Sequence, residues 1–173
     1  MKVVFLDIDG VLQPYGSYYR FNDLSVKLIE DISKKKKIDY SKYSVYDVSS
    51  VYYDWDEQAV ARLKYVLDST NSKIIVSSDW RSKEHLYKMR DLLMIHDLGN
   101  YWYADNDILN VSSNLEERRA LEIKDSLDRY EISNYVVLDD MKGLEYYYPN
   151  NSVITYDKMS IDDMKKCIKI LKK

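Results

Sequence analysis

The chain has 173 residues, 26 of them basic and 29 acidic, for a formal net charge of −3. Hydrophobic residues at 46% and charged residues at 32% describe a soluble chain able to bury a core as one domain over 1–173. A single Cys (Cys167), two His (His85, His96) and glycines only at 10, 16, 99 and 143 exclude an internal disulfide, a thiol redox pair and a Gly-rich phosphate loop. They also make a structural zinc site improbable, and the G-x-S-x-G elbow of many hydrolases is missing.

The chain opens on Val3-Val-Phe-Leu-Asp-Ile8, an apolar run broken by one acid and closed by Asp9-Gly10. Such a run reads as a strand buried on both faces of a parallel sheet. It is far too short for a signal peptide or a membrane span, so a cytoplasmic, reduced setting without a membrane partner is the expectation. Residues 13–53 break the pattern with a helix-like segment from Asp23 to Lys34, the basic run Lys34–Lys37, and a tail carrying Tyr40, Tyr43, Tyr46, Tyr52 and Tyr53. This stretch is read as a small insertion after the first strand, serving as a cap. The basic run fits a solvated helix end better than a nucleic-acid patch, in keeping with an acidic chain. The tyrosines are expected mainly to pack, with Tyr15, Tyr18 and Tyr19 the best placed to touch a substrate.

Asp56 then caps a helix with Val60, Leu63 and Leu67 on one side, and Lys73-Ile-Ile-Val-Ser-Ser78 is a second strand. From Ser82 the spacing of Leu86, Met89, Leu92 and Leu93 predicts a helix, with His85 on its surface. Asn114-Leu-Glu-Glu117 resembles a capping box ahead of Leu121, Leu127 and Tyr130. Tyr135-Val-Val-Leu-Asp-Asp140 and the weaker Ser152–Tyr156 are further strands. Ser160 starts a last helix with Ile161, Met164, Ile168 and Leu171 on its apolar stripe and Cys167 beside it as a structural residue. Strand and helix alternate, so the chain is expected to be α/β, a doubly wound parallel sheet with right-handed crossovers.

In such sheets ligands bind outside the carboxyl ends of the strands, where Asp7 and Asp9, Ser77 and Ser78, and Asp139 and Asp140 should converge. Close carboxylates repel, and a hard cation with oxygen ligands, Mg²⁺ above all, resolves the conflict. One carboxylate can then attack phosphorus while the other handles the proton of the leaving oxygen. Ser77 can donate to a phosphoryl oxygen, and Gly10 suits a tight turn right after the strand. A cation on the helix after Asn114, whether Arg118, Arg119 or Lys124, can neutralise the developing charge. Trp80 is read as a core or interface aromatic rather than a substrate platform, and Arg81 as a partner of either a phosphate or Asp79 or Glu84.

These residues carry a resemblance. Phe5-Leu-Asp-Ile-Asp-Gly-Val11 resembles the first motif of the haloacid dehalogenase-like (HAD) superfamily, Ile74-Ile-Val-Ser77 its second, and Val136-Val-Leu-Asp-Asp140 its fourth. Ser77-Ser-Asp-Trp-Arg81 looks like the S-S-x-W-R stretch of HAD domains in Swiss-army-knife RNA repair proteins. The resemblance covers the core and leaves 13–53 unmatched. It implies a HAD-like fold and Mg²⁺-dependent phosphomonoester hydrolysis through an aspartyl-phosphate. Asp7 would be nucleophile and metal ligand, and Asp9 general acid/base with its carbonyl on the metal. Ser77 would bind the phosphoryl group, with Ser78, Arg81 and Gly10 lining the substrate, and Asp139 and Asp140 would complete the metal site. An acid two positions after the nucleophile fits phosphatases and mutases rather than dehalogenases. The third motif is usually Lys, and Arg119 is the best-placed substitute here. The implied substrate is a phosphorylated nucleic-acid end or nucleotide. The alternatives are a small phosphorylated metabolite, a module that binds phosphate ligands with little turnover and, last, a D-x-D metal-dependent transferase.

Overall fold

A computed structural model describes residues 1–83, 89–109 and 114–173. Its sheet has five parallel strands in the order β3-β2-β1-β4-β5: β1 (Lys2–Leu6), β2 (Ser72–Val76), β3 (Trp102–Asp105), β4 (Asn134–Asp139) and β5 (Ser152–Ile154). Three of the four apolar runs are the central strands and the fourth is the edge strand β5. The three central runs are buried over most of their length, as expected for a sheet with helices on both faces, while β5 buries only Val153.

Side chains alternate across that sheet. Val4, Leu6, Ile74, Val76, Val136 and Leu138 enter the larger core cluster. The helices α1 (Val26–Lys36), α2 (Val45–Asp54), α3 (Glu57–Thr70), α4 (Met89–Met94) and α7 (Ile161–Leu171) contribute to the same cluster. Val3, Phe5, Ile75 and Val137 face the other way, against Ala120 and Ile123 of α5 (Leu115–Arg129) and Leu144 of α6 (Leu144–Tyr147).

The helices begin where local chemistry says they should. Asp56 accepts from the Ala59 amide, Asn114 from Glu117, and Ser160 forms a reciprocal box with Asp163. Lys34, Lys35 and Lys36 occupy the last turn of α1, and Lys36 reaches Asp97 at 2.7 Å, so the basic run is a helix end. Cys167 is buried and unpaired in α7.

Two expectations are corrected. The tyrosine-rich tail of 13–53 holds a second helix, α2, whose Val48 and Val51 are buried with Leu28, Ile29 and Ile32 of α1 in the main cluster. On α5 the buried positions are Arg119, Ala120, Glu122, Ile123 and Ser126, while Leu121 is exposed, because the helix buries charged groups that find partners. His85, Leu86 and Glu84 lie outside the described residues. Among the described residues, no helix is long and apolar enough to cross a membrane.

Candidate active site

In-register pairing builds the site. Leu6 stands opposite Val76 on one side and Leu138 on the other. The residues that follow these three positions are Asp7, Ser77 and Asp139, and the ladder carries on past the ends of β1 and β2. The Ser77 amide donates to the Leu6 carbonyl at 2.8 Å and the Asp7 amide to Leu138 at 3.0 Å. A period of two puts all three side chains on the face of Phe5, Ile75 and Val137, the face that α5 covers.

Arg119 arrives from that helix. Its Nη1 donates to Asp139 Oδ2 at 2.8 Å and lies 3.3 Å from Asp7 Oδ1, while Nη2 reaches Asp79 Oδ1 at 3.2 Å. Burial works against its charge, but Asp139, Asp7 and Asp79 outweigh that and hold the guanidinium protonated. Of the rivals, Arg118 shares Asp79 with Arg119, at 3.2 Å, and Lys124 pairs with Asp128 at 2.9 Å on the exposed side. Asp79, which the sequence offered only as a partner for Arg81, instead gathers both arginines.

Carboxylate oxygens of Asp7, Asp139 and Asp140 lie within 4.8 Å of one another. Burial first, then the Asp7 charge, pushes Asp139 above the usual carboxylate range, with Arg119 pulling the other way. Asp140 is pushed up to about 6, again by burial first and then by Asp7. A close oxygen-only set in which burial and mutual repulsion resist ionisation is suited to a hard divalent cation. Ser77 is fully buried, and among the described residues its Oγ has no hydrogen-bond partner. An orphaned hydroxyl in this row is the group an incoming phosphoryl oxygen would satisfy.

Gly10 is fixed by both space and backbone. Its φ is +71°, and an added Cβ would lie 2.7 Å from Asp140 Oδ2. The Gly10 carbonyl accepts from Thr155 Oγ1 at 2.7 Å. Gly10→Ala is therefore expected to lower stability by about 2 kcal/mol, from left-handed strain and the Asp140 clash together. Urea unfolding checks this, and a loss below about 0.5 kcal/mol would contradict it.

The structure separates the remaining site residues. Asp9 is not in the carboxylate cluster: β1 ends at Leu6, and the amides of Val11, Leu12 and Gln13 turn back onto the Ile8 carbonyl. Its carboxylate accepts instead from Trp80 Nε1 at 2.9 Å and Gln13 Nε2 at 3.0 Å. Ser78 closes the turn that follows β2, its carbonyl accepting from the Arg81 amide at 3.1 Å. Arg81 meets neither Asp79 nor open space. Fully buried, it donates to the carbonyls of Ser78 and Asn106 at 2.6 and 2.8 Å and to Glu122 Oε2 at 2.7 Å. Burial requires those partners, so Arg81 serves as a clasp between the second strand's exit, the third strand's exit and α5. Sequence reasoning missed Glu122 altogether. Its signal was an acid four residues after Arg118 on the face that carries Ala120 and Ile123.

Residues 3–163 match the family model described as the HAD domain in Swiss Army Knife RNA repair proteins. No curated protein and no solved structure matches the chain.

Proposed function

The chain belongs to the family of HAD domains in Swiss Army Knife RNA repair proteins, and from that premise we propose that it is a Mg²⁺-dependent phosphomonoester hydrolase that forms an aspartyl-phosphate on Asp7. The observation that carries the reading is the single row of Asp7, orphaned Ser77 and Asp139, with Arg119 laid across it. Asp7, Asp139 and Asp140 would hold the cation, which supplies charge neutralisation when bound.

Asp7 Oδ attacks phosphorus and the ester P–O bond breaks, with Asp9 giving its proton to the departing oxygen. Water then attacks the phosphoaspartate, Asp9 takes up a proton, and the P–O bond to Asp7 breaks to release inorganic phosphate. Ser77 Oγ–H and the Arg119 guanidinium bind the phosphoryl oxygens as negative charge builds on them. Arg119 thus fills the position that a lysine has in the family. The 13–53 stretch acts as a cap, and the family's RNA-repair setting favours a phosphorylated nucleic-acid end or nucleotide as substrate.

The test compares hydrolysis of p-nitrophenyl phosphate, mononucleotides, sugar phosphates and 3′- or 5′-phosphorylated oligonucleotides, each with Mg²⁺ and with EDTA. Phosphate release that EDTA abolishes and Mg²⁺ restores is the expected result, with oligonucleotide ends turned over fastest. Turnover indifferent to EDTA would contradict the cation site. Activity on sugar phosphates alone would overturn the nucleic-acid assignment.

A further inference from the structure

Asp9 lies outside the Asp7–Asp139–Asp140 group, and two side chains donate to its carboxylate. Trp80 donates its indole N–H to Asp9 Oδ2 at 2.9 Å, and Gln13 donates from Nε2 to Oδ1 at 3.0 Å. Each donor is itself fixed. Gln13 Oε1 accepts from Ser50 Oγ at 2.8 Å, which ties it to α2. Trp80 is buried, and its ring meets Trp55 edge to face at 6.3 Å between centroids. An aspartate side chain turns freely about two torsions, and donors on both oxygens select one orientation for it. Had the strand simply continued, the period of two would have carried Asp9 to the same side as Asp7.

Resting on the phosphatase reading, we propose that Trp80 and Gln13 are positioning residues for Asp9. They hold its carboxylate outside the Asp7–Asp139–Asp140 cluster, turned to serve the leaving oxygen rather than the cation. Gln13, itself the first residue of the 13–53 insertion and tied to α2 by Ser50, couples Asp9 to that insertion. The W-R pair after the second strand therefore divides its work: Trp80 serves the proton-transfer group, and Arg81 the scaffold.

Proton donation matters most where the departing oxygen is basic. An alkyl phosphate needs a proton on its leaving oxygen, whereas p-nitrophenolate leaves well without one. Trp80→Phe keeps a ring but removes the indole donor, and Gln13→Ala removes the other. Each is expected to lower turnover of an alkyl phosphate about tenfold more than that of p-nitrophenyl phosphate. Combined with Asp9→Asn, each should add nothing further to the alkyl phosphate loss. Equal losses on both esters, or losses that add to Asp9→Asn, would overturn the assignment. A wild-type protein that hydrolyses neither ester contradicts the phosphatase reading itself, before any variant is made. Independently of turnover, protein labelled at tryptophan nitrogen reports the Trp80 indole N–H by NMR, assigned with Trp80→Phe. That resonance is expected to move in Asp9→Asn, and one that stays in place would overturn the clasp.

Discussion

Asp7→Asn is expected to lower Mg²⁺-dependent phosphatase turnover by roughly a thousandfold or more, because an amide oxygen is a poor nucleophile toward phosphorus. The substitution is nearly isosteric, and Asp7 lies beside Asp139 and Asp140 within 4.8 Å. Removing its charge relieves repulsion in a cluster where that charge raises both neighbours. The melting temperature of the metal-free variant should accordingly equal or exceed that of the wild type, as expected when a site holds charges for function rather than stability. Loss of activity with preserved or raised stability separates a chemical role from a folding defect. A variant with more than a tenth of wild-type turnover would remove Asp7 from the nucleophile's place.

Glu122→Ala is expected to have the largest effect on stability, about 3–5 kcal/mol, since it leaves the buried Arg81 guanidinium without its counter-charge. Both side chains are fully inaccessible, with Arg81 Nη2 2.7 Å from Glu122 Oε2. The other Glu122 oxygen accepts from the Leu109 amide at 3.1 Å, so the substitution orphans a backbone donor as well. For a chain of this length the melting temperature should fall by roughly 10 °C. The paired change Arg81→Met with Glu122→Leu should recover much of the loss, because neither charge is then left buried alone. A fall below about 1 kcal/mol in the single variant would mean that the clasp does not hold α5 to the sheet. The consequence reaches the site, since α5 also carries Arg119.

Buried hydrophobic strands were the most legible part of the sequence. Val3–Leu6 and Val136–Leu138 are covered on both faces, so their apolar runs are continuous and the acids that end them stand out. Because the strands pair in register, reading where each run stops was enough to bring Asp7, Ser77 and Asp139 together. β3 escaped notice: Trp102–Asp105 is four residues long at the sheet edge, too short and too exposed to show a pattern. α2 was hidden for a different reason. Its Val-Tyr-Asp-Val-Ser-Ser-Val-Tyr-Tyr-Asp run is rich in β-branched and aromatic residues with low helix propensity, and burial of Val48 and Val51 in the main cluster overrides that preference. Asp9 illustrates a third limit. Residue spacing puts it beside Asp7, but the turn at Ile8 moves it out of line, and its carboxylate meets one local donor, Gln13, and one distant one, Trp80. In sequence Arg81 reads as a partner of a phosphate or a neighbouring acid and Glu122 as an ordinary helix charge, and only their mutual burial shows what they hold together.

The most direct test of the chemistry is to catch the covalent intermediate. Protein in excess over a phosphate-radiolabelled substrate is mixed with Mg²⁺, quenched in acid during the first turnover and digested. The expected result is alkali-labile label on the peptide that contains Asp7, absent from Asp7→Asn. Label on another residue, or full phosphate release with no labelled protein at any quench time, would contradict phosphoryl transfer through Asp7.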